Sequence, residues 1–212
     1  MHHYNVLVGV DQNYYDEWAV NLLQSIQRYN PWLNLHCHIV NPTKENTLNG
    51  VSITTENITF ANDESKISYL QSVRFLVVAN KFNKNENVFT LDADTVCTRK
   101  IGHVFTQRLF EKQHVLKHYK ENRWLAGFVT FLNNGFRQEL ASELTAVPIN
   151  EWKWGRDQTI LNKLAEEYKY EKLDRLWMSI GKNKFNSAFL TLKGEQKVTE
   201  KYLNVYRKYL DV

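Results

Sequence analysis

The sequence is 212 residues long and holds only two cysteines, three prolines and eight glycines. Cys37 and Cys97 lie far apart, with no metal-type spacing between them. Each falls in or at the end of an expected strand, which favours buried free thiols in a reducing compartment over a disulfide. No apolar run is long enough to cross a membrane, and the N-terminus has no signal-peptide pattern. A cytoplasmic location is the matching expectation. His2 and His3 are assigned no role. No internal repeat, low-complexity segment or linker breaks the chain, so one domain spanning residues 1–212 is expected.

Charge of one sign is also scarce. Lysine and arginine total 27 against 23 acidic residues, a net charge of +4 spread along the chain. The most basic stretch, Lys112 to Arg123, reads as a solvated surface, and no nucleic-acid-binding module is recognisable. Nucleic acid is therefore not an expected partner, whereas anionic small molecules are.

What is present is ordinary for a globular protein: 43% hydrophobic and 24% charged residues, with 13% aromatics that suit a core or a flat-walled site. Asn5–Val10 reads as an apolar strand ended by Asp11-Gln12-Asn13-Tyr14. Leu22, Leu23 and Ile26 recur at helical spacing as far as Asn30-Pro31. Leu35–Val40 is a second strand, on which His36 and His38 share one face. That face reads as half solvated, with a paired-histidine metal site as the alternative. Asn41–Gly50 is a loop, and Val51–Phe60 holds a short strand. Asp63–Phe82 forms a long helix with Ile67, Leu70, Val73 and Val77 on one face.

Further helices are expected near Val104–Phe110 and over Phe136–Val147, Asp157–Tyr168 and Val198–Tyr209. Strands are expected at Val115–Leu116, Ala126–Leu132 and Ala188–Leu192. The βαβ rhythm predicts an α/β fold, its mainly parallel central sheet flanked by helices.

One stretch organises the chemistry. Val88–Leu91 is a short apolar strand that runs into Asp92-Ala93-Asp94. Side chains at i and i+2 of a strand point the same way, so both carboxylates are placed to share one ligand. Two adjacent carboxylates repel, and a hard divalent cation, Mn²⁺ or Mg²⁺ with phosphate oxygens completing its shell, suits them. Strand-end aspartates also cap turns, which is the structural alternative. Arg74, on the helix before this strand, supplies a guanidinium for a phosphate, a sugar hydroxyl or one of the carboxylates.

Taken in order, the motifs are V-D-Q-N-Y at Val10–Tyr14, S-V-R-F at Ser72–Phe75, and L-D-A-D at Leu91–Asp94. A-G-F follows at Ala126–Phe128 and D-Q-T-I-L-N at Asp157–Asn162. From residue 4 to residue 197 the sequence resembles the glycogenin-like and bacterial lipopolysaccharide galactosyltransferase-like family. Those are retaining, nucleotide-sugar-dependent glycosyltransferases with the Rossmann-like GT-A fold. The resemblance implies that Asp11 and Asn13, with Tyr14, hold the uracil and ribose of a UDP-sugar. It implies that Asp92 and Asp94 bind the metal, that Ala93 and Gly127 line the donor site, and that Arg74 lies beside the donor sugar. Asp157 would accept from a donor-sugar hydroxyl, and Gln158 would lie near the anomeric carbon. Gly194 and Lys197 would close over the diphosphate.

Two positions depart from the family pattern. Thr191 stands where a third, histidine ligand to the metal is usual, leaving water or Asn186 for that place. Leu125 stands where an asparagine usually precedes A-G and helps position the donor sugar. The implied reaction is sugar transfer to an acceptor hydroxyl with retained configuration. A nucleotide-sugar hydrolase and a non-catalytic nucleotide-sugar-binding protein are the alternatives.

Overall fold

A computed structural model describes residues 4–117, 124–132, 134–180 and 186–191, with the single positions 200, 204 and 207. The expected terminal helix over Val198–Tyr209 lies outside the described residues apart from Glu200, Asn204 and Arg207, which are helical and exposed.

The chain opens with β1 (Tyr4–Asp11), buried along nearly its whole length. A short helical turn α1 (Gln12–Tyr14) runs through a wider turn at Tyr15–Ala19 into α2 (Val20–Tyr29). Leu22, Leu23 and Ile26 of α2 are fully buried. Then come β2 (Asn34–Val40), β3 (Val51–Glu56), α3 (Asp63–Lys81), β4 (Asn87–Leu91) and β5 (Thr95–Cys97). The chain continues with α4 (His103–Leu109), β6 (His114–Lys117), β7 (Trp124–Phe131), α5 (Asn134–Thr145) and a turn of tighter helix at Ile149–Glu151. It proceeds through α6 (Arg156–Glu167), β8 (Glu171–Lys172), β9 (Met178–Ile180) and β10 (Phe189–Thr191).

Seven strands form the central sheet in the order β3-β2-β1-β4-β7-β6-β8. β1 pairs in parallel with both β2 and β4, while β7 is antiparallel to β4 and β6. The sheet is thus mixed and mainly parallel, as the βαβ rhythm predicts. Strand order reverses beside β1, so the carboxyl ends of β1 and β4 splay around a crevice, where open α/β sheets bind ligands. The smaller sheet, β5-β10-β9, packs against this one. Phe189 of β10 meets the rings of Phe89 and Phe128 edge-on at 6.1 and 6.0 Å, and those two rings stack at 5.1 Å. Much of the aromatic content therefore goes into the core.

Two expectations change. The histidine face of β2 is half solvated only at His36, which is half-buried: His38 is 3% exposed, its Nδ1 2.8 Å from Thr54 Oγ1 and its Nε2 3.2 Å from Glu56 Oε1. Nor do the apolar residues of α3 form one buried stripe. Val73 and Val77 are in the core, but Ile67 is 48% exposed. Its N-terminal half instead buries Ser65, Ser68 and Ser72, and serves a cleft described below. Cys37 and Cys97 are free and buried, and burial pushes each thiol up to about 12. Among the described residues, no helix is long and apolar enough to cross a membrane.

Candidate functional site

β1 ends at Asp11, whose carboxylate accepts from the Tyr14 backbone N–H at 2.9 Å and so caps α1. Lys66 on α3 lies 3.6 Å from the other oxygen. β4 ends at Leu91, so Asp92, Ala93 and Asp94 occupy the turn between β4 and β5 rather than the strand itself. All three nevertheless border one cleft of about 610 Å³, which Asp11, Tyr14 and Lys66 also line.

Arg74 is the hub. Its side chain is 6% exposed, and its Nη2 donates both to Asp92 Oδ1 at 2.9 Å and to the Ala126 carbonyl at 3.1 Å. The guanidinium therefore ties the acidic turn to β7. Gly127 completes this arrangement through what it lacks: a Cβ there would sit 2.9 Å from Asp92 Oδ2. Asp94 is 6% exposed, and Thr191 Oγ1 lies 3.3 Å from its Oδ1. Thr191 itself is fully buried in β10. Its hydroxyl donates to Asp94 and helps to orient that carboxylate.

A second cavity of about 410 Å³ adjoins the first and shares Gln71, Arg74 and Asp92 with it. Asp157 and Gln158, in the first turn of α6, border it with Ala126 and Gly127. Asp157 is 5% exposed, in a helical turn whose dipole favours a carboxylate. Gln158 has both ends of its amide engaged: Oε1 accepts from Ala126 N–H at 3.1 Å, and Nε2 donates to the Trp124 carbonyl. Asn162, one turn on, accepts from Trp124 N–H at 2.9 Å. Together these two side chains supply the hydrogen bonds a further strand would give that end of β7. The D-Q-T-I-L-N motif thus has a structural job as well as a place in the cavity wall.

The sequence-derived residues Asp11, Tyr14, Arg74, Asp92, Ala93 and Asp94 meet at the larger cleft, and Gly127, Asp157 and Gln158 join Arg74 and Asp92 at the smaller. Leu125 borders the smaller cavity too. Asn13 is exposed and does not border either cavity. Asn186 is exposed with φ of 51° and is likewise outside both linings. Gly194 and Lys197 lie outside the described residues. Lys66, Gln71 and Trp154 border the cavities without having been singled out in the sequence. For the first two a signal existed: Gln71 and Lys66 precede Arg74 by three and eight residues, in phase on one helical face.

The donor set fits a hard divalent ion. Asp92 and Asp94, two of the four aspartates that border the larger cleft, lie two residues apart, and among the described residues no group of three histidine, cysteine, aspartate or glutamate side chains forms a fuller cage. That is the protein's share in sites where a bound phosphate supplies further oxygens.

No family model matches the chain, and no curated protein matches it in sequence. Among solved structures it is similar to the apo-form glycosyltransferase GlyE of Streptococcus pneumoniae TIGR4, with 16% identity and a TM-score of 0.66. The match takes in all of this chain and 61% of the length of that one. At this identity the likeness is one of architecture, and the mixed α/β, Rossmann-like fold is shared with that glycosyltransferase.

Proposed function

We propose that the chain is a glycosyltransferase that takes a sugar from a nucleotide donor, a UDP-hexose, and passes it to an acceptor hydroxyl with retained configuration. The observation that carries this reading is the pair of adjoining cavities meeting at Arg74 and Asp92. One has the size and polar ends for a nucleoside diphosphate, and the other a carboxylate-lined wall for a sugar. The fold shared with a glycosyltransferase agrees with it.

In this reading Asp11 and Tyr14, which border the larger cleft, hold the base and ribose at the end of β1, and Asn13, outside its lining, does not. Asp92 and Asp94 hold Mn²⁺ or Mg²⁺, which when bound neutralises charge on the departing diphosphate. Arg74, fixed by Asp92 and Ala126, adds a positive charge at that junction without having to reorganise. Asp157 accepts a hydrogen bond from a donor-sugar hydroxyl and fixes the ring. Ala93 and Gly127 leave room for it. Gln158 has an amide already committed to β7 at both ends, so it shapes the pocket and does not attack. Front-side attack by the acceptor hydroxyl then accounts for retention without a covalent sugar–enzyme intermediate.

A donor screen with Mn²⁺, reading released nucleotide and transferred sugar by mass spectrometry, tests the proposal. Asp94→Asn keeps an acceptor for Thr191 but removes the charge, so it should abolish turnover while leaving the melting temperature nearly unchanged. EDTA should silence the wild type equally. Full turnover in EDTA would end the metal-assisted reading, and nucleotide release without sugar transfer would make the protein a hydrolase.

A further inference from the structure

The sequence has six tryptophans. Four of them, Trp18, Trp124, Trp152 and Trp177, are at most 5% exposed, and Trp32 is partly buried against the core. Trp154 differs: it is 71% exposed and stands at the edge of the smaller cavity, beside Gly155 and the buried Asp157.

The turn that carries Trp154 is anchored on both sides. Trp152, two residues before it, is 1% exposed, and its indole N–H donates to the Val147 carbonyl at 3.0 Å. Lys153 between them gives its carbonyl to Ser68 Oγ at 2.8 Å and to Arg156 N–H at 3.1 Å. Gly155 follows at φ of 77° and begins α6. The indole is therefore displayed from a braced turn. A surface carrying a large, rigid apolar face at the mouth of a cavity with a polar floor has a specific chemical complement. A pyranose ring has the same two sides: a patch of C–H bonds on one face and hydroxyls around its edge. The indole covers the first, and polar groups that line the cavity, Gln71 and Thr159 among them, suit the second.

Resting on the sugar-transfer reading above, we propose that Trp154 is the platform of an acceptor subsite, and that the acceptor is itself a carbohydrate. The transferred sugar sits deep, between Asp92 and Asp157. The acceptor ring stacks on Trp154 at the rim, with its attacking hydroxyl directed inward. A smooth lipid chain would gain nothing from the polar lining, and a free phosphate nothing from the indole.

The test compares wild type with Trp154→Ala and Trp154→Phe. Saturation-transfer NMR uses methyl hexosides, methyl N-acetylhexosaminides and their disaccharides, with and without UDP and Mn²⁺. Wild type should saturate the C–H protons of one ring face. Trp154→Ala should weaken sugar binding at least tenfold, and Trp154→Phe should retain most of it. UDP affinity by calorimetry should be equal in all three proteins, because the platform does not touch the nucleotide.

Unchanged sugar binding in Trp154→Ala overturns the proposal, as does a parallel loss of UDP affinity. It is also overturned if the alanine variant changes the sedimentation coefficient, which would make the indole a contact between copies. Wild type that binds UDP but none of these sugars removes the platform and leaves the donor reading standing. Sugar binding through Trp154 without UDP binding supports the platform and removes the donor reading.

Discussion

Gly127 shows how much one missing carbon can carry. Its absent Cβ would lie 2.9 Å from Asp92 Oδ2 and 3.5 Å from the carboxyl carbon. Asp92 cannot swing away freely, because Arg74 holds its other oxygen at 2.9 Å. Gly127→Ala should therefore displace the carboxylate without unfolding the sheet. Misplacing a reacting group by about 1 Å can cost on the order of 100-fold in rate. Steady-state turnover should fall by about that factor, while thermal denaturation shifts by only a few degrees. Thr191 acts one step further out. Thr191→Val keeps the volume but deletes the contact to Asp94, and loss of such outer contacts typically weakens a metal by about 10–100-fold. Titrating Mn²⁺ in the presence of UDP should show a loss in that range. An unchanged affinity would mean that Asp94 is oriented by other groups.

At the scale of elements, Glu56 joins β2, β3 and α3. Tyr69 on α3 donates to its Oε1 at 2.7 Å, and His38 Nε2 lies 3.2 Å from the same oxygen. Burial alone would raise this carboxyl. The hydrogen bond from Tyr69, the close contact with His38 and the charge of Lys81 outweigh it and hold the group below its ordinary value of 4.5. A carboxyl depressed by folding adds stability above its unfolded value and loses it as pH falls through the folded value. Wild type should thus melt progressively earlier below about pH 4.5, and Glu56→Gln should show a shallower acid dependence in the same scans. Equal slopes would mean that Glu56 is not among the groups that titrate on unfolding.

The long elements were legible because their patterns are local. β1, β2, α3 and α6 fall within a residue or two of the positions expected from periodicity and caps. β5, β8 and β9 were not, since they have two or three residues each and their strand character comes from partners far along the chain. Phe189 pairs with Cys97, and Glu171 joins the sheet through His114. The site divides in the same way. Asp92, Asp94 and Arg74 announce themselves as carboxylates and a guanidinium around a strand end. The buried contact of Thr191 with Asp94 and the place of Trp154 at a cavity edge exist only after distant segments meet. The commitment of the Gln158 amide to β7 is equally invisible in sequence.

For the molecule as a whole, the decisive property is how few fixed ligands an ion would find. Four aspartates, Asp11, Asp63, Asp92 and Asp94, border the cleft, but among the described residues no three histidine, cysteine, aspartate or glutamate side chains come together closely enough to hold an ion. Asp92 also shares one oxygen with Arg74, whose positive charge opposes a nearby cation. Two carboxylates under that influence hold a hydrated ion weakly. A diphosphate in the cleft changes the balance, because its oxygens are hard ligands that complete the shell and its charge offsets the guanidinium. Mn²⁺ should therefore bind poorly to the free protein and well once UDP is present. By linkage the effect is reciprocal: Mn²⁺ must tighten UDP by the same factor as UDP tightens Mn²⁺, typically about 5–150-fold. Calorimetry around the full cycle, metal first and nucleotide first, checks both arms and requires them to agree, after correction for Mn²⁺ bound to UDP in solution. Tight Mn²⁺ binding without nucleotide would mean that a third protein ligand comes from elsewhere in the chain. UDP affinity indifferent to Mn²⁺ would leave Asp92 and Asp94 as capping and ion-pairing residues, and would shift the diphosphate to Arg74 and Lys66.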